Sequence, residues 1–239
     1  MWRFFSITIG HAALFNCFAP LYNDELDQRA PFIGADLVFA AFGHVNASCE
    51  LDFEKPGEDR KLRNLLLDNP NVVVSLGWGK QDIPTIERCP LKFSNSVARF
   101  VAQNGLRGFD IDHENPPFSS EHDFIAVSTA LRNALPPPLL LTISPASLYS
   151  VHIPTVNSLY DFVNAQTYWS TINFYIDAGL RVSTLFAGVD IESGESFDEA
   201  VAQVKTFGLA GAFAWTFDHN LSGIIQNMKH ALGSWRIQI

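Results

Sequence analysis

Short apolar segments recur along the whole chain and alternate with segments of helical or turn character. Eight of them are rich in β-branched or aromatic residues, which is typical of buried parallel strands. They cover residues 4–9, 36–43, 71–77, 106–114, 139–145, 161–168, 183–190 and 211–217. The pattern therefore predicts eight strands spread over the full length.

Two connecting segments predict helices with clear ends. Residues 121–135 carry apolar side chains at helical spacing, namely Phe124, Val127, Leu131 and Leu135. Consecutive prolines from Pro136 onward end this helix before the next strand. A second helix begins at Ser196, where Ser-Phe-Asp-Glu has the form of a capping box, and ends at Gly208.

Strands that alternate with helices favour the α/β class and a compact (β/α)8 TIM barrel, with a doubly wound open sheet as the alternative. "NGLRGFDID" at 104–112 and "FGLAGAFAW" at 207–215 share Gly-Leu-x-Gly after a helix, on the fourth and eighth strands. Such strands face each other across a closed ring of eight, which supports a barrel. The short connection between the last two strands has room for one helix and no large insertion.

A chain of 239 residues can bury the core of one barrel, so residues 1–239 are expected to form a single domain. The net charge of −9 argues against nucleic acid or an anionic membrane surface as a partner. An uninterrupted apolar run long enough to span a membrane is absent from the sequence. A neutral or weakly cationic substrate fits this charge better.

The opening stretch, "MWRFFSITIGHAALF", has the look of a secretory leader because Arg3 precedes an apolar run. His11 and Asn16 interrupt that run, and no clear small-residue cleavage site follows. Its removal would leave seven strands, so we interpret residues 4–9 as the first strand.

The three cysteines, Cys17, Cys49 and Cys89, are too few for a disulfide scaffold and lack the spacing of metal ligands. We expect buried free thiols rather than a Cys49–Cys89 disulfide.

A row of acids stands out in the fourth strand, "LRGFDIDHENP". Side chains alternate across a strand, so Asp110, Asp112 and Glu114 share one face. In a barrel that face points inward, and Glu114 lies nearest the C-terminal mouth, where barrel active sites are built. Crowded, desolvated carboxyl groups resist ionisation, which suits a general acid in glycoside hydrolysis. A divalent-cation site and a hydrogen-bonded polar core are the alternatives, but further clustered oxygen ligands for a metal are lacking, so no metal or cofactor is expected.

The segment Asp110-Ile111-Asp112-His113-Glu114, preceded by Gly108, resembles the Asp-x-Asp-x-Glu signature of family 18 glycoside hydrolases. That family contains chitinases and endo-β-N-acetylglucosaminidases. Three further strands resemble it in order, through the substrate-site residues Ser75 and Gly77, Gln166 and Tyr168, and Trp215. Trp215 also has the inward parity of Asp112 and is expected to stack on a sugar ring. Trp78 and Trp169 follow strand ends and are candidates to extend that platform.

The resemblance implies a retaining, substrate-assisted mechanism. Glu114 would protonate the glycosidic oxygen while the sugar's own N-acetyl carbonyl attacks the anomeric carbon. Asp112 would orient the acetamido group, Asp110 would support Asp112 and share a proton with it, and Tyr168 would donate a hydrogen bond. The expected partner is an N-acetylglucosamine-containing polysaccharide or glycan, bound by a monomer, and secretion is implied by the resemblance alone.

The sequence departs from the family pattern at Arg107, His113 and Trp169. Arg107 and His113 face away from the acid row, whereas Trp169 stands where many bacterial chitinases have aspartate. The leading hypothesis is an endo-acting chitinase. An endo-β-N-acetylglucosaminidase acting on the N-glycan core and a non-catalytic chitinase-like lectin are the alternatives.

Overall fold

The computed structural model describes residues 13–23, 32, 34–53, 55–77, 79–114, 116–168, 170–191, 193, 197–215 and 221–233.

Nine strands are present in this part of the chain, and eight of them close into a barrel. In chain order they are β1 (Leu14–Pro20), β2 (Leu37–Val45), β3 (Leu51–Asp52), β4 (Val72–Leu76), β5 (Gly108–His113), β6 (Leu140–Pro145), β7 (Phe162–Ala165), β8 (Leu185–Asp190) and β9 (Gly211–Trp215). All strands except β3 pair in parallel, in the order β1-β9-β8-β7-β6-β5-β4-β2, and β1–β2 pairing closes the ring. The predicted (β/α)8 barrel is confirmed.

Helices cover the outside of the ring. They are α1 (Glu58–Asp68), α2 (Asp82–Arg88), α3 (Pro90–Asn104), α4 (Glu121–Ala134), α5 (Ile153–Leu159), α6 (Ile172–Asp177), α7 (Phe197–Phe207) and α8 (Leu221–Gly233). The two predicted helices are α4 and α7. Ser120 caps α4 by accepting the Asp123 N–H at 3.2 Å, whereas the predicted cap Ser196 lies outside the described residues. None of the described helices has the length and apolar character that a membrane crossing requires.

The first strand is a correction to the sequence prediction. Residues 4–9 lie outside the described residues, and the strand that closes the ring is β1, which pairs with β2 and β9 through Cys17. Asn16, which interrupts the apolar run of the opening stretch, is fully buried in the middle of β1. All eight barrel strands lie from Leu14 onward, so the number of strands no longer supports the prediction that residues 4–9 belong to the barrel.

The other seven strands are confirmed, with ends shifted by a few residues. The largest difference is in the sixth, where residues 161–168 were predicted and β7 ends at Ala165. The predicted fourth strand ends at His113, so Glu114 lies just beyond β5.

The barrel interior is divided into an apolar half and a polar half. Strands β1, β2, β8 and β9 contribute a buried aromatic cluster that includes Phe18, Phe39, Phe186 and Phe213. Strands β4 to β7 contribute buried polar side chains instead, namely Ser75, Asp110, Asp112, Thr142, Ser144 and Asn164, and buried Gln166 follows the end of β7. The acid row therefore lies on a polar wall that faces an aromatic one.

Cys49 and Cys89 form a disulfide with a Cα–Cα distance of 6.5 Å, so the expectation of free thiols was wrong for this pair. The two cysteines are 40 residues apart in sequence. They meet because the antiparallel β2–β3 hairpin packs against α3, where the Ser96 hydroxyl accepts the Leu51 N–H at 3.0 Å. Cys17 is a buried free thiol, as expected.

Candidate active site

The acid row runs from the barrel interior to its mouth. Asp110 is 0% exposed, Asp112 is 6% exposed, and Glu114, just past the strand, is open to solvent. The opposite face of β5 packs outward, where Phe109 and Ile111 join the core beneath the helices. The alternation predicted for this strand therefore holds, and the three carboxyl groups differ in how much water reaches them.

Asp110 is held by three hydroxyl groups from neighbouring strands. Ser75 donates to Oδ2 at 2.7 Å, Thr142 donates to Oδ1 at 2.6 Å, and Ser144 lies within 3.1 Å of both oxygens. Burial raises the pKa of Asp110 to about 6, although these hydrogen bonds act in the opposite direction. Both oxygens are occupied by hydroxyl donors, so Asp110 acts on Asp112 through its charge.

Asp112 is oriented by Gln166. The Gln166 Nε2 donates to Asp112 Oδ1 at 2.7 Å and to the Ser144 carbonyl at 2.9 Å, and two acceptors on one nitrogen define the amide orientation. Burial, followed by the charges of Glu114 and Asp110, raises the pKa of Asp112 well above its ordinary value. The surroundings of Asp112 therefore disfavour its ionised form relative to an ordinary aspartate.

Gly77 makes room for Asp112. A Cβ atom added at Gly77 would lie 2.6 Å from the Cβ and 2.8 Å from Oδ2 of Asp112. Any side chain at position 77 would displace the carboxylate, so a glycine at this point follows from packing.

Glu114 combines access to solvent with a raised pKa. The protein around its carboxyl group removes enough water to raise the pKa, and a hydrogen bond with Gln166 lowers it in part. A carboxyl group that stays protonated closer to neutral pH and can be reached from the mouth meets the two requirements of a general acid.

A pocket of about 240 Å³ opens beside Glu114. Its walls are Phe18, Phe42, Asp112, Glu114, Tyr168, Asp190 and Trp215. The Trp215 ring lies on those of Phe42 and Phe18, with centroid distances of 5.7 Å in both pairs. Aromatic packing thus fixes a partly buried indole as a flat surface next to the acids, on which a sugar ring can stack.

Tyr168 is a neutral hydrogen-bond donor in this pocket. Burial and then the charges of Asp112, Glu114 and Asp190 raise the pKa of its hydroxyl well above the ordinary value. The phenol stays protonated, so its O–H can donate a hydrogen bond to a carbonyl oxygen of a ligand.

Three residues expected to contact substrate lie beneath the pocket instead. Ser75 is 0% exposed and Gln166 is 2% exposed, and their hydrogen bonds go to Asp110 and Asp112. Gly77 packs against Asp112. All three are buried and contact the acid row, and their expected contact with a sugar stays a prediction. Trp78 and Trp169 lie outside the described residues.

The sequence reasoning missed several residues of the site. Thr142 and Ser144 hold Asp110, and Asn164 donates to the Ser144 hydroxyl at 3.0 Å. Alternating polar residues inside a buried strand were the available signal. Phe42 and Asp190 in the pocket wall were also missed, although Asp190 ends a predicted strand. Within the described residues, no group of three metal-ligating side chains is placed to hold a metal ion.

A closed barrel with a graded row of carboxyl groups and an aromatic surface at its mouth defines a glycosidase-like protein. The sequence profile of the glycosyl hydrolases family 18 matches residues 29–190, more than half of the chain. The chain therefore belongs to family 18. No curated protein sequence matches it significantly.

Solved structures of the family superpose over most of the chain. A family 18 chitinase from Cycas revoluta in complex with (GlcNAc)3 has a TM-score of 0.74 at 16% identity, covering 91% of this chain and 98% of that one. A family 18 chitinase from Pseudoalteromonas aurantia has a TM-score of 0.70 at 18% identity, and the match covers 92% of this chain and 100% of that one. Human YKL-39, described as a pseudo-chitinase with retained chitooligosaccharide binding, has a TM-score of 0.76 at 12% identity, and the match covers 93% of this chain and 100% of that one. These similarities show the fold.

Proposed function

We propose that this protein is a retaining, substrate-assisted glycoside hydrolase that cleaves β-1,4-linked N-acetylglucosamine in chitin or its oligomers. The observation that carries the proposal is the graded burial of Asp110, Asp112 and Glu114 beside a pocket that also contains Tyr168 and Trp215. A family 18 chitinase of the same fold binds (GlcNAc)3, which agrees with this substrate class.

In the proposed reaction, Glu114 gives its proton to the glycosidic oxygen and the bond to the leaving sugar breaks. The acetamido oxygen of the reacting sugar attacks its own anomeric carbon and forms a cyclic oxazolinium ion. Ionised Glu114 then takes a proton from water, which opens the ring with net retention. No carboxylate has to attack carbon, so the other two acids serve orientation and electrostatic stabilisation.

Asp112 and Tyr168 are assigned to the acetamido group. The carboxylate of Asp112 accepts the acetamido N–H and stabilises the positive charge that develops there, while the neutral phenol of Tyr168 donates to the acetamido oxygen. The raised pKa of Tyr168 keeps this donor intact throughout the working pH range. Trp215 supports the apolar face of the same sugar.

We propose endo cleavage because the described residues form no large module that covers the mouth over the last strands. Between β8 and β9 the described chain contains α7 and short connections. A long polymer can then lie across the pocket with sugars on both sides of Glu114.

The decisive experiment is the Glu114→Gln variant assayed with an N-acetylglucosamine tetramer. Removal of a general acid is expected to lower kcat by roughly 10²- to 10⁴-fold. Glu121→Gln, at the exposed start of α4, is the matched control and should retain full activity. Unchanged turnover by Glu114→Gln would show that another group supplies the proton.

An endo-β-N-acetylglucosaminidase that acts on the N-glycan core is the second candidate, since the same acids and tyrosine would serve it. Chitinase and endo-β-N-acetylglucosaminidase activity are distinguished by incubating the protein with a chitin tetramer and with a high-mannose glycoprotein in parallel and measuring the masses of the products. Release of the glycan without cleavage of the tetramer would favour the second candidate.

A non-catalytic lectin is the third candidate, favoured by the fold shared with human YKL-39, a pseudo-chitinase. Calorimetric binding of the tetramer with no product after long incubation would support it. The presence of Glu114 at the mouth favours catalysis.

A further inference from the structure

The turn between β2 and β3 carries an asparagine followed two residues later by a serine. Asn46, Ala47 and Ser48 are all exposed, and the residue between the asparagine and the serine is not proline. Asn-x-Ser is the acceptor pattern for N-linked glycosylation in a surface loop of a secreted protein. None of the three lines the candidate active-site pocket.

The side chain of Asn46 is held in one orientation. Its Oδ1 accepts the Ser48 N–H at 2.9 Å and the Glu50 N–H at 3.1 Å. The backbone of Asn46 closes the turn, with its N–H on the Glu50 carbonyl at 3.0 Å and its carbonyl on the Cys49 N–H at 2.8 Å. Oδ1 and Nδ2 share one carbon atom, so fixing Oδ1 over the turn directs Nδ2 away from it.

A second, independent observation concerns the redox environment. Cys49, the residue after Ser48, is joined to Cys89 in a disulfide. Such bonds persist in oxidising surroundings, which include the lumen where secreted eukaryotic proteins receive N-linked glycans. The disulfide and the acceptor pattern thus point to the same compartment.

We propose that Asn46 is an N-glycosylation site. The glycan donor would be an oligosaccharide linked to a polyprenyl pyrophosphate, used by a membrane-bound transferase. The Asn46 Nδ2 attacks the anomeric carbon of the first sugar, a C–N bond forms and the C–O bond to pyrophosphate breaks. Polyprenyl pyrophosphate leaves, one proton passes from Nδ2 to a base of the transferase, and no oxidation or reduction occurs.

The exposed turn gives the attached glycan space in the folded protein. Asn46 follows the last residue of β2, so the glycan would stand at the rim of the barrel without filling the pocket. Deglycosylation is therefore expected to leave kcat for the tetramer unchanged.

Peptide mass spectrometry of the protein secreted by cultured eukaryotic cells tests the proposal. The peptide containing Asn46 should carry a hexose-rich glycan, and peptide:N-glycosidase should convert Asn46 to aspartate. Asn46→Gln and Ser48→Ala should each abolish the glycan, and Ser48→Thr should keep it. Asn95→Gln, which removes another exposed asparagine outside such a triplet, is the matched control and should change nothing.

A second triplet, Asn220-Leu221-Ser222, starts outside the described residues, so Asn220→Gln is included to assign any remaining glycan. An unmodified Asn46 peptide in protein whose Cys49 and Cys89 are oxidised would overturn the proposal. An unmodified Asn46 peptide in secreted protein with free thiols at both cysteines would overturn it as well.

Discussion

Asp110, Asp112 and Glu114 are chemically similar acids, and the protein distinguishes them by the donors and the water around them. Asp110 has three hydroxyl donors and no access to solvent, Asp112 has one amide donor, and Glu114 reaches the mouth. Glu114 is the most open of the three to a ligand and to water. In the proposed reaction it therefore transfers the proton, while the two inner acids supply charge and orientation.

Gly77→Ala tests how closely Asp112 must be positioned. The new methyl group would meet Asp112 at 2.6 Å, so the carboxylate must move. A displacement of about 1 Å in a catalytic constellation can cost about 10²-fold, and we expect kcat for the tetramer to fall by that order.

Gly105→Ala is the matched control for this variant. Gly105 has φ 65° and nothing near its Cβ position, at the end of α3 far from the mouth. It should lose about 1 kcal/mol of stability to backbone strain and keep its kcat. Equal activity losses in both variants would show that Gly77 matters only for folding.

Asp190→Asn tests an acidic wall residue that the family resemblance does not assign. A carboxylate in the pocket can only accept hydrogen bonds, so we expect Asp190 to bind a hydroxyl group of the sugar. Such a charge-assisted bond contributes about 1.5–3 kcal/mol, so kcat/KM should fall by roughly ten- to a hundredfold. Asp177→Asn, exposed on α6, is the control, and an unchanged kcat/KM for Asp190→Asn would exclude this contact.

Alternation along a strand could predict which residues face the barrel interior, but not how deep they lie. Asp110 and Asp112 were placed on the inward face correctly. The depth of Ser75 and Gln166 does not follow from alternation, because depth depends on how neighbouring strands are staggered around the ring. Ser75 pairs with Asp110, the deepest acid, and this pairing register cannot be predicted from the sequence of either strand alone.

At the scale of elements, the repeated Gly-Leu-x-Gly has a structural cause. Gly105 and Gly208 both end helices with positive φ, at 65° and 71°. Gly108 and Gly211 both start strands where the next strand passes closely, since an added Cβ would lie 2.1 Å from the Leu140 carbonyl and 2.0 Å from the Leu14 carbonyl. The same helix-to-strand junction therefore occurs at opposite sides of the ring.

The first strand and the disulfide show where sequence patterns were insufficient. Residues 4–9 and Leu14–Pro20 are both apolar, and nothing local distinguishes the one that pairs with β2 and β9. The Cys49–Cys89 bond depends on how a hairpin packs against a helix junction, which a spacing of 40 residues does not reveal. Both errors concern contacts between elements that are distant in sequence.

His113 joins the loops that follow β5 and β6. Its Nδ1 lies 3.2 Å from the Ser147 carbonyl, its Nε2 accepts the Phe118 N–H at 3.4 Å, and its ring stacks on Phe118. These bonds require the neutral ring with the proton on Nδ1. Burial lowers the pKa of His113 to about 4, from an ordinary value of 6.5.

This arrangement makes stability depend on pH with a defined sign. Below pH 6.5 the His113 side chain is protonated in the unfolded chain but still neutral in the folded protein. The contribution of neutral His113 to the free energy of unfolding is therefore complete above pH 6.5 and decreases as the pH falls towards 4. Between pH 7 and pH 5 the free energy of unfolding of the wild type should fall by about 2 kcal/mol more than that of His113→Asn. Urea unfolding of both proteins at the two pH values measures this difference. The acid row acts in the opposite direction, but equally in both proteins. Identical pH dependence of the two proteins would contradict this role.

For the whole molecule, the disulfide ties the mouth side of the barrel to its helical layer. It closes a loop across β3, α1, β4 and α2, with a sequence separation of 40 residues. Loop closure of this length is expected to contribute about 4 kcal/mol to the free energy of unfolding. Neither cysteine is among the described residues that line the pocket beside Glu114.

The double variant Cys49→Ser, Cys89→Ser should therefore lose stability while it keeps its catalytic constants at low temperature. For a chain of this size about 1 kcal/mol shifts Tm by about 2–4 °C, so Tm should fall by roughly 10 °C in calorimetry. Reduction of the wild type should reproduce the fall, and the same reductant should leave the double variant unchanged. A loss of kcat without a loss of Tm would instead mean that the disulfide positions the acid row, which no contact of either cysteine supports.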